Sequence, residues 1–188
     1  MEMGNTQLRK YEEYAYVLDY ESRAKSTTVR GRTGIIVIAI GEERLTLLEV
    51  LGIENSTFDV GERIYIGKDG RTKIQSVLGK IDYTKISDSA KNEIPKVIES
   101  IIVKNEKKFV DYINNAQPLT PRIHTLELIP GIGKTYLNVI IKEREKGLFA
   151  SFDDIEKRAG WKEPVNHLSK RIIEEISGET RMNLFVKR

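Results

Sequence analysis

Hydrophobic and polar positions alternate over Tyr14–Tyr20, where Tyr14, Tyr16, Leu18 and Tyr20 interleave with Ala15, Val17 and Asp19. A period of two predicts a β-strand. Ile35–Ile40 is an unbroken apolar run between Gly34 and Gly41, which fits a short strand buried on both faces. Leu45–Leu51 reads as a third strand. Arg63–Lys68 and Arg71–Val77 flank Asp69-Gly70. That dipeptide suits a tight hairpin and predicts two further strands paired across it. The stretch 21–34 has no period and holds Arg23, Lys25, Arg30 and Arg32 against one acid, so it reads as a long basic loop. These elements predict a small β-barrel over residues 11–83, after a polar segment, 1–10, expected to be loose.

From Ser87 the period becomes helical, with Ala90, Ile94, Val97, Ile98, Ile101 and Ile102 on one face. Pro95 inside this pattern implies a kink or a helix beginning near Asn92, since proline suits only a first turn. Phe109, Val110 and Ile113 form the apolar side of a second helix, and Asn114–Pro121 is a polar connection. Residues 84–119 therefore read as connecting helices before an all-α domain at 120–180. In that domain Ser151-Phe152-Asp153-Asp154 has the order of a helix cap. Pro164 suits a first helical position, and Val165, Leu168, Ile172 and Ile176 form the stripe of a last helix closed by Gly178. The basic tail Arg181–Arg188 is expected to be disordered.

The most informative stretch is Leu128-Ile129-Pro130-Gly131-Ile132-Gly133-Lys134-Thr135, with Leu126 upstream and Leu137, Ile140 and Ile141 downstream. It predicts a short helix, a tight turn and a second helix that starts in the turn. Glycine permits positive φ and close approach of another group. The amides from Gly131 to Lys134 would then lie unpaired at a positive helix end, where an anion is favoured. Ile129–Ile140 resembles the helix-hairpin-helix motif, and Arg144–Phe149 with Ser151–Ile155 resembles the link to a second hairpin in tandem domains of that kind. That second hairpin would fall at Arg158–Lys162, where only Gly160 fits; the proline is missing and Lys162 replaces the second glycine, so it is degenerate. The whole chain resembles an uncharacterised archaeal family with a small oligonucleotide-binding-like (OB-like) barrel before such a domain, regarded as nucleic-acid-binding.

The fold class expected is α+β, an OB-like barrel followed by a tandem helix-hairpin-helix domain. Phosphate capture would use the amides of Gly131, Ile132, Gly133 and Lys134, side chains of Lys134 and Thr135, and flanking Arg122, Lys142 and Arg144. Arg23, Lys25, Arg30 and Arg32 would add contacts from the barrel, or merely solvate its loop. Backbone donors read no sequence, so binding should be sequence-independent and salt-sensitive. RNA is slightly favoured over duplex DNA because of the barrel. Lys162, Lys170 and Arg171 read mostly as solvated helix charges.

Composition adds little more. Net charge is +3 over 188 residues, all of it beyond residue 85, in the half that holds the turn. No cysteine is present, and His124 and His167 lack metal-ligand spacing, so neither catalysis, a metal nor a cofactor is expected. Base-excision glycosylases carry an aspartate downstream of a similar hairpin, but Asp153 and Asp154 fit a helix cap better. No stretch reads as membrane-spanning or as a signal, and a cytoplasmic location is expected. Oligomeric state is open. The competing reading is a module that docks a protein of the transcription or translation machinery.

Overall fold

The computed structural model describes residues 11–187; the polar segment 1–10 and Arg188 lie outside the described residues. The architecture is mixed α+β, with a curled five-stranded antiparallel sheet forming half a barrel, and five α-helices among the described residues. Contacts divide the chain into two compact units, one reaching Glu93 and including Val186 onward, the other Ile94–Phe185.

In the first unit β1 (Tyr14–Lys25), β2 (Thr33–Gly41) and β3 (Leu47–Gly52) form a meander. The short β4 (Arg63–Tyr65) adds beside β1, and β5 (Ile74–Lys80) adds beside β3. This corrects the hairpin expected across Asp69-Gly70. Gly70 does turn with φ +79°, yet β4 and β5 stand at opposite edges of the sheet. Pairing with β3 buries Ile74, and that long-range gain outweighs the local turn signal. The basic loop is also shorter than expected. Ala24 pairs with Gly34 and Lys25 with Thr33, so Arg23 and Lys25 belong to β1 and only the tip from Ser26 to Arg32 is loop.

The inner face of the half-barrel is small and aliphatic. Ala15 and Val17 of β1, Val37 and Ala39 of β2, and Leu48 and Val50 of β3 form a core with Phe58, Ile64, Ile66 and Ile74. Of the alternating tyrosines of β1, Tyr16 is buried. Tyr14 packs edge-on against Tyr65 at 5.3 Å, with the Arg63 guanidinium 3.6 Å above its ring. Register shifts in β1 after Val17 and after Glu21 help the sheet curl.

One buried acid was not legible beforehand. The Glu49 carboxylate, on β3, accepts hydrogen bonds from the Ser26 hydroxyl, from Thr27 N (3.2 Å) and Oγ1 (2.8 Å), and from Thr28 N (3.3 Å) and Oγ1 (2.9 Å). Burial raises its pKa, but these donors outweigh burial and hold it below the ordinary glutamate value. A depressed carboxylate contributes stability above its unfolded pKa and loses it as pH falls through the folded value. Glu49→Gln should therefore cost roughly 1–3 kcal/mol at neutral pH. The deficit should shrink below about pH 4, which urea midpoints measured across pH will check.

The apolar stripes of the helices are as expected, and the boundaries differ. The helix α1 (Asp88–Lys104) begins ahead of Asn92, because the Ser87 hydroxyl accepts the Ala90 amide at 3.1 Å and caps it. Pro95 lies inside this helix. Four more helices follow, α2 (Glu106–Asn115), α3 (Lys134–Lys146), α4 (Phe152–Ala159) and α5 (Pro164–Ser177). The tail is docked rather than disordered through residue 187. Phe185 is buried, with its ring 4.7 Å from Tyr112 and 5.6 Å from Phe109. Arg171 corrects the expectation of a solvated helix charge. It is buried, bonded to Glu175 at 3.0 Å, to the Leu128 carbonyl at 3.1 Å and to the Met182 carbonyl at 2.8 Å.

Candidate nucleic-acid interface

A short 3-10 helix, Thr125–Leu128, leads into the glycine turn. His124 Nδ1 accepts the Leu126 amide at 3.1 Å, and Glu127 reaches back to the His124 amide at 2.8 Å. Accepting through Nδ1 requires a neutral imidazole. Burial and then the Arg144 charge lower the His124 pKa, with Glu127 opposing. Ile129 and Ile132 are buried and anchor both sides of the turn. The Ile132 amide is already spent on the Ile129 carbonyl at 3.2 Å, so this residue plugs the core rather than donating outward.

The two glycines differ in kind. Gly131 has φ +86°, and a Cβ there would lie 2.5 Å from Nδ1 of His167, whose ring stacks on buried Trp161 at 5.4 Å. Gly131 is therefore demanded by internal packing. Gly133 is the N-cap of α3 with φ −88°, an ordinary extended value, and a Cβ there would meet nothing within 4 Å. Nothing inside the chain requires glycine at this position. The amides of Gly133, Lys134 and Thr135 find no acceptor among the described residues, as at any uncapped helix start.

Around this turn the basic side chains divide. Lys134 is exposed and its ammonium bonds Glu127 at 2.7 Å and the Arg122 carbonyl at 3.2 Å, which ties the segment carrying Arg122 to the turn. The Glu127 carboxyl is held below its usual range chiefly by that Lys134 bond. Arg122, Thr135 and Lys142 are exposed. Arg144 instead points inward, bonding the Ile113 carbonyl at 2.9 Å, and burial lowers its pKa. It acts as a strut between α3 and the end of α2. Arg23, Lys25, Arg30 and Arg32 are exposed on the first unit.

At the turn between α4 and α5, Gly160 is left-handed at φ +71° and Trp161 is buried. Glu163, also left-handed at φ +55°, has its amide taken by the Glu156 carboxylate at 2.6 Å, and Pro164 has no N–H. At this helix start one donor is thus internally satisfied and one is missing, which leaves the amides of Val165 and Asn166 without an acceptor among the described residues. Asp153 pairs with Lys157 at 2.6 Å, and Asp154 accepts the Ala150 amide at 3.0 Å and binds Arg158 at 3.1 Å. Both aspartates are thus engaged around the start of α4.

Over residues 11–187 the chain matches a family described as a protein of unknown function, DUF655. The chain belongs to the DUF655 family. It is 39% identical over 186 residues to the uncharacterized protein MJ0038 of Methanocaldococcus jannaschii, covering 95% of this chain and 82% of that protein. The crystal structure of Af1531 from Archaeoglobus fulgidus, a DUF655 protein, superposes with a TM-score of 0.82 at 39% identity. That match covers 94% of this chain and all of Af1531.

Two residues of this DUF655 chain shape the site in roles that the sequence did not reveal. His167 sits beneath Gly131, and Arg158 binds the carbonyls of Glu143 and Gly147 at the end of α3 while lying 4.5 Å over the Phe149 ring. Both signals are long-range in sequence, so no local pattern carries them. Among the described residues no helix is long and apolar enough to cross a membrane, and no His, Cys, Asp and Glu side chains cluster as a metal site.

Proposed function

We propose that this DUF655 protein is a non-catalytic nucleic-acid-binding protein that grips phosphates, largely without regard to sequence, at the Gly131–Thr135 turn. On this reading the turn is a helix-hairpin-helix element whose second copy, at Arg158–Lys162, is degenerate. The barrel-like unit adds Arg23, Lys25, Arg30 and Arg32, with RNA slightly preferred over duplex DNA.

The observation that carries the proposal is Gly133. Its backbone is ordinary and the space above it is empty, so internal sterics do not explain a glycine there. A closely approaching phosphate would, because the neighbouring amides of Lys134 and Thr135 are unpaired and Lys134 and Arg122 are exposed beside them. Two of the contacts first considered drop out: the Ile132 amide and the Arg144 side chain are engaged internally.

Gly133→Glu tests the proposal cleanly, since its side chain enters open space and should leave the melting temperature within a degree or two. A carboxylate at the N-cap would repel phosphate. Affinity for RNA and duplex DNA should fall roughly tenfold or more, equivalent to about 1.4 kcal/mol. Unchanged affinity in the folded variant would remove the turn from the interface.

Leu119 and Ile123, 47% and 43% exposed, favour the second reading, a module that docks a protein of the transcription or translation machinery. Loss of partner capture in Leu119→Ser/Ile123→Ser, with nucleic-acid affinity unchanged, would support that reading instead.

A further inference from the structure

The half-barrel does not close. Its edge strands β4 and β5 leave a seam, and Arg71 bridges it with three hydrogen bonds. Nε donates to the Gly67 carbonyl at 2.6 Å, Nη2 to the Ile66 carbonyl at 3.0 Å, and Nη1 to the Gln75 carbonyl at 3.2 Å. A cavity of about 760 Å³ opens in the same region, lined by the start of β3, the end of β4 and β5. Its size falls in the range of small-molecule sites.

The lining has three chemical parts. Leu48, Ile66 and Val77 supply an apolar floor. Tyr65 supplies an aromatic face, held in place by its edge contact with Tyr14 and by Gly67, where a Cβ would come within 2.6 Å of Tyr65 Cζ. The Ser76 hydroxyl is buried and has no hydrogen-bond partner among the described residues. A buried hydroxyl without a partner is costly, so a ligand that bonds it is favoured.

Charge selects the ligand further. Lys68 and Lys80 line the cavity, are exposed, and have no carboxylate partner among the described residues. The Glu12 carboxylate, also in the lining, is turned onto the amides of Glu43 at 2.9 Å and Arg44 at 2.7 Å. Asp69 and Glu13 are the other acids in the lining, and Arg44 is a further cation there. A flat ring, an edge that can hydrogen-bond and an attached anion together describe a nucleotide. Base faces stack on aromatic side chains at roughly 1–3 kcal/mol each.

We propose that the seam cavity is a nucleotide site that takes a nucleobase against Tyr65, its polar edge at Ser76 Oγ and its phosphate at Lys68 and Lys80. The nucleotide comes either as a free mononucleotide or as one unpaired residue of a nucleic acid. This site is separate from the Gly131–Thr135 turn and does not depend on that reading.

Calorimetric titration of the full chain with nucleoside 5′-monophosphates, with the parent nucleosides and with a single-stranded RNA octamer tests it. Saturable binding is expected, at least about tenfold weaker for a nucleoside than for its monophosphate. Lys80→Glu and Lys68→Glu should each weaken binding several-fold to tenfold, Ser76→Ala several-fold, and Asp69→Asn should tighten it. Gly133→Glu should leave mononucleotide binding unchanged, which separates this site from the turn. Binding of free monophosphates assigns the first source, and binding of the octamer alone assigns the second. The absence of saturable binding by either, or binding indifferent to the lysine and serine variants in folded protein, overturns the proposal.

Discussion

Arg171→Ala should cost about 3–5 kcal/mol and leave a protein that melts far below the wild type or fails to fold. The guanidinium is buried and its bonds join α5 to the end of the 3-10 helix at Leu128 and to the tail at Met182. Removing it takes a cationic partner from the Glu175 carboxylate, which is 2% exposed and also receives the amides of Leu184 at 2.8 Å and Phe185 at 2.9 Å. Replacing a buried ion pair with apolar residues is often neutral in other proteins. Here it should not be, because Glu175 also satisfies two backbone donors and Arg171 two carbonyls. Arg171→Met/Glu175→Leu should therefore also be destabilised by several kcal/mol. Urea denaturation of the three proteins decides this, and a double variant as stable as the wild type would contradict the assigned role.

The second large effect separates the paired glycines. Gly131→Ala should lose about 2–4 kcal/mol, combining an unfavourable positive φ with overlap between the new Cβ and the His167 ring. That ring cannot simply swing away without giving up its stack on Trp161. Gly133→Ala should cost only about 0.5 kcal/mol, the penalty of alanine for glycine at an N-cap, since its φ of −88° suits any residue and its Cβ meets nothing. Thermal melts of the two alanine variants would show one shifted by many degrees and the other hardly at all. Equal shifts would mean that the turn has another conformation.

Much of the fold was legible because local periodicity and burial agree. Ile35–Ile40 alternates between two faces that both pack, and Leu168 and Ile172 lie one helical turn apart on the buried side of α5. Legibility failed where pairing, not burial, makes the element. Glu21, Ser22, Arg23 and Lys25 are all exposed, so the far end of β1 carries no alternation and is held by its ladder with β2. Asp69-Gly70 makes a real turn but cannot announce that β5 will pair with β3. Phe185 is a lone aromatic in a polar tail, and nothing nearby in sequence points to Tyr112 or Phe109.

The candidate site divides on the same line. Gly131, Gly133 and the first turn of α3 were readable because a tight turn before a helix has local chemistry. Which basic residues remain available was not readable. Lys142 and Arg144 are two positions apart, yet one is exposed and the other spans to Ile113. Arg171 and Arg158 likewise look like surface charges until their carbonyl partners are known.

The most direct test of the central claim is fluorescence anisotropy of this DUF655 protein with matched single-stranded RNA, structured RNA and duplex DNA. Each would be titrated at about 50 and 200 mM salt, where several phosphate contacts should appear as a steep loss of affinity. Binding with that steep slope, little dependence on sequence and a clear loss in Gly133→Glu are expected. No binding to any of the three at low salt would contradict the claim and leave the protein-docking reading in its place.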